Sequence, residues 1–559
     1  MDEAWVTVPS DPVSASEEVM SNRVRRVKAD LEELTNYYNI KISNTRFIRL
    51  DSFLRDELMS LESVTFDEQN QQDKVDYLLL RNYLRREIRQ LQLDKARHTD
   101  FAELIPFSTL LLSLCEDRQH VEPLDAELAA QKLHQIRLDI TKIADRIERG
   151  EVDIDKITAL RAVDTVIDLR AHLSEMYRFY AKYDPMFDWW VAKPWKEVDA
   201  ALEAYVPTIR YQLAGMTPGA EDEIVGQPIG RDGLLAELEA EMIVYSPEEL
   251  IAMAREQYAW CEEQMKTASR ELGFGDHWKR ALEYVKRQSV SPGEQTKLVR
   301  DLAKEGAAFV KDHDLVTVPV LAEETYRMSM MTPQQQKVAP FFLGGPSIMV
   351  SYPTADMPYE LKQMVMRGNN RHFSRAVAFH ELIPGHRLQM FMGERHNSHR
   401  QMFSTPFFIE GWAMYWELVF DSRGDFFVTP EDRVGTLFWR MHRCARIIFS
   451  LNFHLGKMTA QECVDMLVQW VGHERSTAEG EVRRSFNGDW SPLYQCGYML
   501  GASQLFLLRQ EVLSKGLFGE KQFNDAVLRS NSMPIELLRA LLLDLDLTPD
   551  YTARWRFYD

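Results

Sequence analysis

The stretch AFHELIPGHRLQ, residues 378–389, holds His380, Glu381 and His386 inside an otherwise helical pattern. Imidazole nitrogens and a carboxylate are the donors of a catalytic zinc, which takes three protein ligands and leaves one position open. Zinc peptidases commonly space their histidines four residues apart, which stacks both rings on one helical face. Here the spacing is six, and six steps of about 100° leave the second ring roughly 120° off that face. Pro384 and Gly385 offer a correction. Pro384 has no N–H, and its ring collides with the carbonyl of His380. Gly385 tolerates positive φ, so the chain can bulge by about two residues. A bulge of that size turns the spacing of six into an effective four and returns His386 to the face of His380. Without it, the pair reads as two unrelated histidines flanking a helix kink.

A third ligand is expected from FIEGWAMYWELVFD, residues 408–421. Glu410, Glu417 at i+7 and Asp421 at i+11 share one helical face. Such a stripe is ordinarily solvated, but Trp412, Met414, Tyr415, Trp416, Leu418 and Phe420 leave little of this helix for water. Carboxylates on so apolar a helix need partners, and a metal with its histidines provides them. Glu410 is therefore read as the third ligand, and Glu417 and Asp421 as candidates for orienting the imidazoles. Glu381 is left free to act as general base.

These motifs must be carried by a sizeable scaffold. At 559 residues the chain exceeds the size at which one simple core keeps growing, so two lobes are expected, 1–235 and a catalytic lobe 236–559. The net charge of −19 argues against nucleic acid or an anionic membrane as partner. No apolar run reaches the roughly 18–20 residues of a membrane span. The N-terminal MDEAWVTVPSDPVSASEE is acidic and polar, unlike a targeting segment. Five scattered cysteines without a C-x-x-C pair suit a reducing compartment. A cytoplasmic location is the expectation, and nothing specifies an oligomeric state.

The pattern along the chain is mostly α. Windows 72–92 and 128–150 repeat apolar residues at i, i+3, i+4 and i+7. Ser246-Pro247 with Glu249, and Thr459 with Glu462, predict capping boxes; Thr332-Pro333 and Thr429-Pro430 predict further helix starts. Strand signals are few: SIMVSY at 347–352, whose edge could receive an extended peptide, and LVTVPVL at 315–321. The Pro/Gly-rich segment 206–233 is the expected boundary or surface excursion. His396, His399 and His473 read as surface residues.

HELIPGHRLQ together with EGWAMYWE resembles the paired signature of the domain of unknown function 885 family, which is similar to gluzincin-type zinc metallopeptidases. The resemblance runs from YSPEELIAMAREQ at 245 to EVRRSFNGDWSPLYQCGYMLG ending at 501. It implies a largely helical zincin-like fold around a cleft, with a small β-sheet beside the active-site helix. His380, His386 and Glu410 are then ligands to one Zn2+, and Glu381 the base. Arg446 and His454 also fall at family positions. Ser450 and Asn452 stand where Asp and Gly are usual, and Met458 where Trp is usual. Ser485 follows Arg484, and Leu493 follows Pro492, where the family differs; Tyr498 and Gly501 match. The metal motif is intact while the substrate-facing region is altered.

The implied reaction is hydrolysis of a peptide or peptide-like amide by a zinc-activated water, with Glu381 taking its proton. His454 and Tyr498 are the candidate donors to the oxyanion, and Arg446 and Arg484 the candidates for a substrate carboxylate. The alternative is a zinc hydrolase or lyase acting on a small amide metabolite. A non-haem iron oxygenase uses a similar ligand triad but gives Glu381 no task. A retired scaffold would have no reason to keep ligands and base together.

Overall fold

A computed structural model describes residues 18–219 and 223–558; the N-terminal segment read above for targeting lies almost wholly outside them. The architecture is mostly α, with one two-stranded parallel sheet among the described residues. The chain forms two compact units. One comprises Met1–Val64 and Arg81–Glu223, the other Thr65–Leu80 and Ile224–Asp559. The division differs from a single cut at 235. It falls near the Pro/Gly-rich segment on one side and inside the helix Gln71–Asp100 on the other.

The first unit is built on helices Ser108–Gln119, Ala126–Glu148, Lys156–Tyr180 and Pro185–Pro207. Leu133, Ile136, Ile140, Ile143 and Ile147 of the second of these follow the 3.6-residue period into a core shared with Val163, Val166, Leu169, Val191 and Leu202. Asp125, Asp155 and Asp184 each cap the helix that follows by accepting from two backbone N–H groups.

In the second unit the expected helix starts are in place. Ser246 with Glu249, Thr332 with Gln335, and Thr459 with Glu462 form reciprocal capping boxes, and Thr429 accepts from the Asp432 N–H. The segment 315–321 is not a strand: Thr317 gives its N–H and hydroxyl to Asp525, and Pro319 leads into the short helix Val320–Glu324. The strand pairing with SIMV is instead β1 (Arg327–Met330), parallel to β2 (Ser347–Val350) in the register Arg327 to Ser347. The other edge of β2 is occupied at Met349, which exchanges both backbone hydrogen bonds with Leu343. The chain's own loop therefore fills the centre of the edge expected to be open to a peptide.

Five helices of this unit position the site: Arg371–Glu381, His386–Gly393, Pro406–Arg423, Pro430–His454 and Tyr494–Ser514. The helix 406–423 is buried along almost its whole length, from Phe407 to Phe420. It crosses 494–514 where Gly411 and Gly501 meet, which brings the two backbones into contact.

Candidate metal centre

The helix bearing His380 stops at Glu381 and restarts at His386. Between them the Gly385 N–H donates to the Phe379 carbonyl (3.0 Å) and the Leu388 N–H to the Leu382 carbonyl (3.3 Å). Each bond spans six residues where an α-helix spans four, so two residues are inserted between the two helices. The Ile383–Pro384 peptide is cis, and the Trp412 indole donates to the Pro384 carbonyl at 2.9 Å. Gly385 does not use positive φ; its φ is −76°. It is required for space instead: a Cβ there would lie 1.8 Å from the His380 carbonyl oxygen.

The insertion brings the rings of His380 and His386 to a centroid separation of 5.0 Å, nearly perpendicular. Glu410 Oε2 lies 3.5 Å from His380 Nε2 and 3.2 Å from His386 Nε2. All three side chains are buried, and one ligand atom from each lies within 4.8 Å of the others. Metal–ligand bonds of about 2.1 Å at the tetrahedral angle separate neighbouring donors by about 3.4 Å, so the two N···O distances match the edges of a zinc site. Glu410 Oε2 also satisfies hydrogen-bond geometry with no partner, though it is buried. An orphaned carboxylate oxygen facing two imidazole nitrogens is a donor set that fits a metal.

Two of the candidate ligands are held from behind. His380 Nδ1 meets Glu417 Oε1 at 2.7 Å, and Arg443 donates to the same oxygen at 3.2 Å. Glu410 Oε1 accepts from the Tyr494 hydroxyl. Burial lowers the His380 pKa, but Glu410 and Glu417 outweigh it and hold the imidazole up at about 9. For Glu410, burial acts upward and is overcome by the two histidines, which pull its carboxyl well below the usual range. Glu381 differs: burial dominates and raises its pKa. It faces the same cavity of about 560 Å³ as His380, His386 and Glu410. On that wall a Cβ at Gly344 would lie 2.3 Å from Glu381 Oε2, so the loop after Leu343 comes down onto the carboxylate.

Other residues singled out in the sequence divide into two groups. Tyr498, Arg446 and Arg484 line the cavity. Tyr498 lies parallel to His380 at 6.2 Å and accepts from Arg484 at 3.4 Å. Arg446 is paired with Glu481 through Nε (3.1 Å) and Nη2.

Asp421 does not orient an imidazole. It lies one turn beyond Glu417, about 6 Å along the axis, and pairs with Arg440 at 3.4 Å. His454 is not in the cavity lining either: it follows Arg446 by eight residues on the same helix, about 12 Å along the axis, and sits beside Phe453 and Phe486. Burial depresses its pKa to about 4 and keeps it neutral.

Two histidines expected on the surface are buried. His399 bonds Asp76 at 2.8 Å, and His473 bonds His442 at 2.9 Å. Arg443, Trp412 and Tyr494 were not anticipated. Arg443 precedes Arg446 by three residues and Tyr494 precedes Tyr498 by four, so a helical-face argument from the marked partner would have reached both.

Solved structures share the fold. A candidate lipoprotein of unknown function from Shewanella oneidensis aligns with a TM-score of 0.70 at 16% identity, covering 94% of this chain and 100% of that one. A candidate lipoprotein from Colwellia psychrerythraea aligns with a TM-score of 0.61 at 14% identity, covering 95% of this chain and 99% of that one. No curated protein matches the sequence. The profile of a family described as bacterial protein of unknown function (DUF885) matches residues 40–542, and the chain belongs to that family.

Proposed function

We propose that the protein is a zinc-dependent hydrolase that cleaves peptide or peptide-like amide bonds, built on a zincin-like metallopeptidase architecture. The observation that carries this reading is the convergence of His380, His386 and Glu410 on one point beside Glu381, on the wall of one cavity. A bound zinc would supply Lewis acidity and a water of lowered pKa at that point. His380, His386 and Glu410 would hold it, with Glu417 fixing the His380 ring through Nδ1. Glu381 takes a proton from the attacking water as that water's oxygen adds to the carbonyl carbon. It then delivers the proton to the amine nitrogen as the C–N bond breaks. The raised pKa of Glu381 suits both halves of that transfer. Tyr498, held by Arg484, would donate to the oxyanion. A zinc hydrolase or lyase acting on a small amide metabolite would use the same groups.

The five cysteines are all buried, which suits a reducing, cytoplasmic setting. Among the described residues no helix is long and apolar enough to cross a membrane. The test is activity profiling of zinc-loaded protein against peptide and amide libraries, with Glu381→Gln as control. Cleavage by the wild type and not by the variant supports the reading. Turnover of no amide, or equal turnover by both proteins, overturns it.

A further inference from the structure

Three arginines line the cavity: Arg443, Arg446 and Arg484. Two of them have carboxylates of their own. Arg443 donates to Glu417 at 3.2 Å, and Arg446 is joined to Glu481. Arg484 is 8% exposed, and its hydrogen bonds go to two neutral hydroxyls, Tyr494 at 3.3 Å and Tyr498 at 3.4 Å. Its guanidinium also lies over the rings of Trp490 and Tyr494, at 5.2 and 5.5 Å. Glu481, three residues earlier on the helix Arg475–Phe486, is engaged by Arg446, and Glu410 accepts from Tyr494. A buried guanidinium keeps its charge and carries five donors in a fixed fork that matches a carboxylate. Glu481 and Glu410 are near, but neither hydrogen-bonds Arg484, so the fork is open to a carboxylate that enters the cavity.

We propose that Arg484 is the anchor for the free C-terminal carboxylate of a short peptide, so that cleavage occurs close to the carboxyl end. This rests on the hydrolase reading and adds the end preference to it. The distance sets the number of residues. Arg484 Nη2 reaches Glu410 through the Tyr494 hydroxyl alone, which puts the guanidinium within about 6 Å of the metal-facing carboxylate. An extended chain advances about 3.3–3.6 Å per residue. One or two residues therefore fit between the scissile carbonyl and the anchored carboxylate, and a longer C-terminal stretch does not. The aromatic faces of Trp490 and Tyr494 cover the guanidinium, and its burial strengthens the pair. Arg446, the other candidate, is neutralised by Glu481 and is left to hold Tyr498 from beneath, 4.4 Å from its ring.

The experiment measures binding, so it does not depend on turnover. Isothermal titration of zinc-loaded Glu381→Gln protein compares the tripeptide Ala-Ala-Phe with its C-terminal amide. The acid is expected to bind about 10- to 100-fold more tightly, the range of a charge-assisted hydrogen-bonded pair. Arg484→Gln in the same background should abolish the preference while zinc content and the circular dichroism spectrum stay unchanged. Arg484→Lys, which keeps charge but not the fork, should restore only part of it. Equal binding of acid and amide, binding of neither, or a preference that survives Arg484→Gln overturns the proposal. The two readings fail separately. Hydrolysis indifferent to the terminal carboxylate removes the anchor and spares the hydrolase. An acid preference in a protein that cleaves no peptide does the reverse.

Discussion

Gly385→Ala is the smallest change that attacks the register of the two histidines. The added Cβ would stand 1.8 Å from the His380 carbonyl oxygen, 2.5 Å from its carbon and 2.6 Å from the Phe379 oxygen. All three are backbone atoms, so no side chain can rotate away. Restoring ordinary van der Waals contact requires a displacement of about 1.6 Å in a densely packed interior. That shift exceeds the few tenths of an ångström a zinc ligand can tolerate, and it also breaks the 3.0 Å bond from Gly385 to Phe379. Overpacking of this kind costs on the order of 1–3 kcal/mol, small enough for the chain to remain folded. The expected outcome is a protein of wild-type helicity, with a melting temperature lowered by a few degrees. Its zinc affinity should fall more than about 100-fold, beyond what loss of a ligand's supporting hydrogen bond produces. Competition against a chelating dye, with circular dichroism on the same sample, reads both quantities. A Gly385→Ala protein that holds zinc as tightly as the wild type would refute the two-residue insertion as the device that aligns His386.

Other expectations follow from the same geometry. Glu417→Gln, which weakens the hold on His380 Nδ1, should lower zinc affinity about 10- to 100-fold, whereas Asp421→Asn, bonded only toward Arg440, should change it less than about threefold; similar losses in both would mean the acidic stripe acts as a unit. Glu381→Gln should retain zinc and lose about 10²- to 10⁴-fold in turnover, measured on any peptide the profiling identifies. His454→Leu should leave kcat/KM within about twofold, since the residue lies outside the cavity lining; a hundredfold loss would return it to the reaction.

Much of the fold was legible because it is local. Ser246, Thr332, Thr429 and Thr459 announce their helices by side-chain chemistry acting over three residues. The clustering of three residues was legible for a related reason: His380 and His386 are close in sequence, and Glu410 sits on a helix too apolar to leave it unpartnered. Gly385 shows the limit of such reasoning. The sequence marks a special backbone position, but a positive φ and a crowded carbonyl both demand glycine, and only the packing distinguishes them. Asp421 fails for a different reason. Helical periodicity specifies the face on which a side chain lies and says nothing of how far along the axis the site extends. Asp421 shares the face of Glu417 and lies one turn beyond it, while His454, marked by its family position and not by periodicity, lies two turns beyond Arg446. The pairing of β1 with β2 and the burial of His399 against Asp76 were not readable, since each depends on residues brought together from distant parts of the chain.

The central claim is the metal. Elemental analysis of the protein purified without chelators, with X-ray absorption at the zinc edge, tests it most directly. One zinc per chain, with nitrogen and oxygen neighbours at about 2.0–2.1 Å and lost in His380→Ala, His386→Ala and Glu410→Ala proteins that remain folded, is the predicted result. Iron in place of zinc, or zinc retained undiminished when these three residues are replaced, would contradict it.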